Sequence, residues 1–323
     1  MIDLAKYIGV VEQETRFLLE GGHVFDGGSD PIKKEDIKPT LERFIKEFTR
    51  IFPKVKNHFE NPATLGSVGK KDVSGDIDIA IDDKILKTIE DWDIDPSEVA
   101  ELAAKFRKRA RTATEESIVR RATIVAMGNK VNKESELIRT SDKSAGNGVL
   151  FCEFPQYDKD GNELGKNVQI DINYGKVEWL SFAYYSDSYA GNVKGLHRTQ
   201  LMLHLFTYKG YIFNHNKGVS VKSTGELVAH DPDKAVEILN KAYNFHLTQK
   251  ILENYFKLQE YLKENLSEKD LYGVWDIYLK TLDSTRCDIP EDLQQYWIDN
   301  QDRLKLTGKF LPANSNLIKL QKK

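Results

Sequence analysis

Only two cysteines, Cys152 and Cys287, occur in the 323 residues. They lie far apart and outside any metal-ligand spacing. The expectation is two reduced thiols in a reducing compartment, not a disulfide or a zinc site. No apolar run approaches the roughly 18 residues of a membrane span. The opening MIDLAKYIGVVEQETRF carries Asp3 and Lys6 and has no long apolar core, unlike a secretion signal. These absences predict a soluble, cytoplasmic protein with no membrane partner. Charge of one sign is also missing: the net charge is −3. Global charge therefore does not mark a nucleic-acid binder, although a local patch still can. There is no internal repeat, no low-complexity tract, no Walker lysine motif and no Ser/His/Asp nucleophile elbow. The histidines, His197, His204, His215 and His230 among them, form no metal pair and read as packing or surface residues.

What is present suffices for a core: 40% of the chain is hydrophobic and 30% charged, enough for two domains or one elaborated domain. GGHVFDGGSD, Gly21 to Asp30, reads as a plain loop, because no strand and helix frame it as a phosphate-binding loop requires. Residues 36–52 predict a helix, with Ile37, Leu41, Phe44, Ile45, Phe48, Ile51 and Phe52 on one stripe, Pro39 in its first turn and Pro53 as its stop. Residues 97–127 read as two helices. GVLFCEFPQYDKDGNELGKNVQIDINYG reads as a hairpin turning at Asp160-Gly161-Asn162. From Glu178 to about Val228 the pattern is mixed and aromatic. From Asp231-Pro232 to about Leu306 it is mostly helical, interrupted at Ile289-Pro290.

The chemistry concentrates in LGSVGKKDVSGDIDIAI, Leu65 to Ile81. Ile77, Ile79 and Ile81 alternate with Asp76, Asp78 and Ala80, so the two aspartates share a strand face. Two carboxylates about 4 Å apart repel by about 4 kcal/mol at an effective dielectric near 20. An edge strand with both aspartates in water would tolerate this. A divalent cation between them would remove it. The flanks favour the cation. Gly66-Ser67 follow a strand-like run, and a helix beginning there would offer backbone N–H groups to a phosphate. Ser74-Gly75 let the backbone approach a ligand, and Lys70 and Lys71 add positive charge. Together they describe a site for a metal-bound nucleoside triphosphate.

These residues resemble the nucleotidyltransferase superfamily typified by DNA polymerase beta, whose signature is a strand, a Gly-Ser turn into a helix, Asp-x-Asp on the next strand and a third carboxylate on a neighbouring strand. Gly66, Ser67, Asp76 and Asp78 fit the first part, and Asp171 in VQIDIN is expected to be the third carboxylate in preference to Glu153. The implied fold is α+β, a mixed β-sheet nucleotidyltransferase palm with flanking helices, followed by a mostly helical C-terminal region. The implied division is a helical segment 1–60, a catalytic palm 61–177 with a helical insertion 84–147, a nucleotide-pocket region 178–230, and a helical region 231–323 with a loose tail. YYSDSYAGN is similar to the stretch that packs on the incoming nucleotide, which would assign Tyr184 and Tyr185 to sugar and base and Asn192 to the base edge, or leave the aromatics in the core. Arg198 is a further candidate for the cleft. The departures are lysines where arginine is usual, Asp187 where glycine is expected, and a long insertion between Asp78 and Asp171.

The resemblance implies two magnesium ions, with manganese as a substitute, on Asp76, Asp78 and Asp171. Ser67, Lys70, Ser74 and Gly75 would hold the phosphates of an NTP or dNTP. The expected reaction transfers a nucleoside monophosphate to a hydroxyl, foremost the 3′ end of RNA or DNA. Transfer to a protein or small-molecule hydroxyl, and binding without turnover, are the alternatives. The insertion favours nucleic acid. Lys105, Arg107, Lys108, Arg109, Arg111, Arg120, Arg121, Lys130 and Lys133 face only Glu115 and Glu116, an excess of seven (nine minus two), and Arg107 and Arg111 share a helix face. A plain solvated helix is the alternative.

Overall fold

A computed structural model describes residues 24–109, 114–187 and 192–306. They form two compact units, 24–184 with 215–217, and 185–214 with 218–306. Both helices and strands build the protein, and its main sheet is mixed, as an α+β class requires.

The first unit opens with strand β1 (Ile32–Lys33), which leads directly into helix α1 (Lys34–Ile51). The predicted helix thus begins two residues early, and Pro39 falls in its second turn. The Lys34 N–H donates to the Asp72 carbonyl at 2.9 Å, so the chain enters the helix straight from strand pairing. Glu35 and Asp36 in the first turn favour that start through the helix dipole. Strands β2 (Ala63–Thr64), β3 (Val73–Ser74) and β4 (Asp76–Ile81) follow. Next come helices α2 (Pro96–Arg109) and α3 (Glu115–Glu134), strand β5 (Arg139–Ser141), the hairpin β6 (Val149–Tyr157) and β7 (Glu163–Tyr174), and helix α4 (Val177–Ala183). The segment between β4 and β6 is therefore not wholly helical, since it also supplies a strand. The hairpin turns where its sequence predicts: Gly161 has φ +85°, and the Asp158 carboxylate accepts from the N–H groups of Asp160 (2.9 Å) and Asn162 (2.8 Å).

The five-stranded sheet has the order β2-β4-β7-β6-β5. β4 and β7 run parallel and the other pairs antiparallel. β1 and β3 pair separately. Period-two alternation divides the sheet into two faces. Ile77, Ile79, Ile81, Val168, Ile170 and Ile172 are all buried in one cluster with Phe44, Phe48, Phe52, Phe59 and Trp92 and with the apolar side of α3. The Phe48 ring lies 4.9 Å from Phe59 and 5.0 Å from Phe52, and Phe52 lies 5.1 Å from Trp92. The opposite face carries Asp76, Asp78, Gln169, Asp171 and Asn173. Its Ala80 end is covered by α4, through Leu180, together with Leu65.

The second unit contains α5 (Gly195–Tyr208), then an antiparallel meander of β8 (Tyr211–Asn214), β9 (Gly218–Val221) and β10 (Leu227–Ala229). These strands are only three or four residues long, too short to show a period within the mixed, aromatic pattern of the sequence. Among the described residues five α-helices follow: α6 (Pro232–Tyr243), α7 (Gln249–Leu252), α8 (Tyr255–Asn265), α9 (Glu268–Ser284) and α10 (Gln294–Leu304). Asp231 caps α6 by accepting from the Lys234 N–H at 2.9 Å, with Pro232 at the first helical position. Among the described residues no helix is long and apolar enough to cross a membrane.

The aromatic cluster supports the isoleucine face that holds β4 and β7 in place. Phe48→Ala should lower unfolding free energy by about 3–5 kcal/mol, the range for emptying a buried phenylalanine site. Urea denaturation checks this, and a loss below about 1 kcal/mol would mean the cluster does not support the sheet.

Candidate active site

β4 and β7 are in parallel register with Asp78 opposite Asp171 and Asp76 opposite Gln169. Partners in register point to the same side, so the three aspartates predicted from sequence lie on one face, away from the isoleucines. Asp76 and Asp78 are half-buried and Asp171 is buried. The structure thus brings the trio onto adjacent strands, although 92 residues separate Asp78 from Asp171 in sequence.

The electrostatics follow from that register. Burial, then the Asp76 charge, pushes the Asp78 carboxyl up to about 8, and the Asn173 amide pulls in the opposite direction. Burial and the charges of Asp78 and Asp76 raise Asp171 well above the usual carboxylate range, against the hydrogen bond from Gln169. Asn173 Nδ2 donates to Asp78 Oδ1 at 3.3 Å and to the Asp171 carbonyl at 3.1 Å. Gln169 Nε2 donates to Asp171 Oδ1 at 2.9 Å. Sequence reasoning gave these two amides no role. Their signal was present in VQIDIN, where they share the strand face of Asp171.

Glu153, the alternative third carboxylate, lies on β6 opposite Gln169 and is tied up by Arg139 at 2.8 Å. It is one strand further from β4 than Asp171 is.

The Gly-Ser turn lies against the same carboxylates. β2 pairs with β4, and the Leu65 N–H donates to the Asp78 carbonyl at 2.9 Å. Gly66 has φ +61°, and a Cβ there would sit 3.7 Å from Asp78 Oδ2. The helix expected at Gly66-Ser67 does not form. Turns close instead from Val68 N–H to Leu65 O and from Lys70 N–H to Ser67 O, because Gly66 and Gly69 both take positive φ and interrupt a helical run. Alternation of right- and left-handed residues in a turn is itself a way of building an anion-binding concavity. Ser74 is buried, and its Oγ has no hydrogen-bond partner among the described residues. An unpaired buried hydroxyl costs about 1–3 kcal/mol, which a phosphate oxygen would recover. Gly75 is exposed with open space around its Cα, and Lys70 is exposed.

Among the described residues no three His, Cys, Asp or Glu side chains already stand close enough to hold an ion as they are. The trio is aligned by register and coupled through charge. Its chemistry fits magnesium or manganese, since all three donors are carboxylate oxygens, and a divalent charge is what their raised proton affinity calls for.

The remaining expected residues divide. Tyr184, in the first unit, ends α4, packs on the Leu65-Ala80-Leu180 cluster and lies 5.2 Å from the His215 ring. Tyr185 and Asn192 belong to the second unit. Burial, followed by the charges of Asp187 and Glu253, raises the Tyr185 hydroxyl. Asn192 Nδ2 donates to the Ile289 carbonyl at 2.8 Å, which gives that amide a structural use. Arg198 does not face a cleft: it is fully buried in α5 and donates from Nε to the Leu252 carbonyl at 2.6 Å.

α3 packs on the isoleucine face, so the sheet stands between it and the carboxylates. Arg107 is exposed and engaged by Glu115 through two hydrogen bonds. Arg120 reaches the Tyr174 carbonyl and Asp83, Arg121 lies over the Phe106 ring at 4.1 Å, and Lys130 binds Asp93 at 3.0 Å. Arg111 lies outside the described residues. Lys105, Lys108, Arg109 and Lys133 are exposed.

A carboxyl whose pKa is higher in the folded chain binds its proton more tightly there than in the unfolded chain. Stability is then lost as pH rises, here from about 4 to about 8 for Asp78. In chelator, thermal melts should therefore show Tm falling across that window, more steeply for the wild type than for Asp78→Asn. Magnesium should raise Tm most at the alkaline end. Equal pH slopes for the two proteins would show that the trio is not under charge stress.

No protein-family model matches the chain. The search of curated proteins returns no match either. The resemblance to the nucleotidyltransferases therefore rests on the sequence residues named above.

Proposed function

We propose that the protein is a metal-dependent nucleotidyltransferase that moves a nucleoside monophosphate from an NTP or dNTP to a hydroxyl, foremost the 3′ end of a nucleic acid, with release of pyrophosphate. One observation carries this reading: Asp78 and Asp171 are register partners on parallel strands, with Asp76 on the same face. A chain gains nothing in stability from three mutually repelling carboxylates on a half-buried surface. A divalent cation turns that liability into a binding site.

Asp76, Asp78 and Asp171 would hold the ions. When bound, magnesium supplies positive charge that offsets the triphosphate and lowers the pKa of the attacking hydroxyl. The Gly66–Lys70 turn, Ser74 and Gly75 would hold the β and γ phosphates, with the buried Ser74 hydroxyl gaining its missing partner. The acceptor oxygen forms a bond to the α-phosphorus, the bond from that phosphorus to the bridging oxygen breaks, and pyrophosphate carries away the electron pair. Asp171 would receive the hydroxyl proton. Burial beside two charges makes it a stronger base than an ordinary carboxylate. The protein's share of the work is alignment and fixed electrostatics. The exposed lysines of α2 and α3 offer a surface for the distant part of a nucleic acid, and the reacting end belongs on the carboxylate face.

Labelled triphosphates should be offered in magnesium with oligonucleotides, and separately with protein and aminosugar acceptors. The expected result is labelled oligonucleotide and pyrophosphate. Each should fall by roughly 10³-fold or more in Asp78→Asn and Asp171→Asn, the scale for removing a group that stabilises transition-state charge, with Tm retained. Label on protein or sugar alone would replace the acceptor and keep the chemistry. Unchanged turnover in both variants would remove the proposal.

A further inference from the structure

The glycine-rich segment near the start of the chain has no place in the reaction described so far. Its described part, Val24 to Asp30, nevertheless lies against β7. The Val24 N–H donates to Gln169 Oε1 at 3.3 Å, and the Val24 carbonyl accepts from Lys143 Nζ at 2.8 Å. Phe25 sits beneath the Arg139 guanidinium at 5.1 Å. The far end is fixed by the Asp30 N–H on the Asn167 carbonyl at 2.8 Å. Between these anchors the chain turns through a Gly28 N–H to Phe25 carbonyl bond, with Gly27 and Gly28 both at positive φ. The segment is a strap pinned at two points along one strand, each pin two residues from the next position on the Asp171 face.

What the strap grips is the Gln169 side chain, which is fully buried. A primary amide has one end that accepts and one that donates. A backbone N–H can only donate, so Val24 must face Oε1. That directs Nε2 at Asp171 Oδ1, which accepts from it at 2.9 Å. Reversing the amide would set donor against donor and acceptor against acceptor. The Val24 bond therefore settles which way the amide points, and the amide settles how the carboxylate is turned. Oδ1 is taken, and Oδ2 is the oxygen with no hydrogen bond among the described residues.

We infer that Gln169 is a positioning residue and that the Val24–Asp30 strap acts through it, fixing the Asp171 carboxylate so that Oδ2 is presented to the cation and the acceptor hydroxyl. This rests on the proposed nucleotidyl transfer. Groups that orient metal ligands from behind typically contribute 10–100-fold in affinity or activity.

Three variants test it: Gln169→Met, which keeps length and removes both hydrogen bonds; Lys143→Met, which releases the strap at an exposed residue; and Asp171→Asn, which tests the underlying reading. Manganese titration followed by electron paramagnetic resonance, without nucleotide, reports the ligand set independently of turnover. In Gln169→Met manganese should bind about 10-fold more weakly and kcat should fall 10–100-fold, with KM for the triphosphate within about 2-fold. Lys143→Met should shift both in the same direction by a smaller factor while Tm holds. A Gln169→Met protein that loses Tm but keeps wild-type manganese affinity and kcat would overturn the inference, as would a Lys143→Met protein indistinguishable from wild type. Asp171→Asn with unchanged manganese binding and turnover would instead remove the proposed function itself.

Discussion

The parallel pairing of β4 with β7 is the constraint on which everything else depends. It is the one parallel contact in the five-stranded sheet, and it joins segments far apart in sequence. Parallel neighbours need a long crossover, and the chain between them supplies it as α2, α3, β5 and β6. A slip of one residue in this register would move Asp171 to the isoleucine side and Ile170 or Ile172 to the acid side. The register is protected from that slip because the isoleucine face is wholly buried, whereas the acid face is only partly so. Hydrophobic burial thus enforces a charge arrangement that electrostatics alone would oppose.

The second constraint is at the edge of that arrangement. β2 lies antiparallel to β4 on its other side, which delivers Gly66 beside Asp78. A side chain at Gly66 would only touch the carboxylate, at 3.7 Å, but would carry about 1–2 kcal/mol of left-handed strain. The tight turns that replace the expected helix keep the backbone low and close. The loop then returns through β3, whose pairing with β1 buries Ser74 shortly before Asp76.

Much of this was legible in the sequence, for physical reasons that can be named. Alternation in DIDIAI and VQIDIN, with large apolar residues on one parity, identified the strands and their faces, while grouping Asp171 with Asp76 and Asp78 came from the resemblance. Asp160, Gly161 and Asn162 marked the hairpin, and Asp231-Pro232 marked the start of α6. Other features depended on tertiary partners. A two-residue strand such as β1 or β3 carries no periodicity to detect. The run of basic residues in α2 and α3 looked like one surface, but whether a guanidinium is spent on Glu115, a carbonyl or an aromatic ring is decided only once the helices pack. The resemblance assigned Arg198 to a cleft, but it has the burial of a core residue, with Leu252 as the carbonyl that makes this tolerable. The glycine-rich segment carried no phosphate-loop frame, which was a correct reading of its local pattern. Its contact with Gln169 spans 145 positions and left no local trace.

The choice of neutral amides around the acids is itself informative. Gln169 and Asn173 each donate a hydrogen bond that favours the ionised carboxylate, which opposes but does not cancel the upward shifts at Asp171 and Asp78. A lysine or arginine at either position would close an ion pair, satisfy the carboxylate and leave it little affinity for a divalent ion. The sheet shows that alternative one strand away, where Arg139 pairs with Glu153 and Glu153 is thereby removed from the trio. An amide orients a carboxylate while leaving its charge intact. On one continuous sheet face Glu153 is therefore neutralised by an arginine while Asp78 and Asp171 are only steered by amides, which is the distinction the proposed function expects between a structural carboxylate and a ligand.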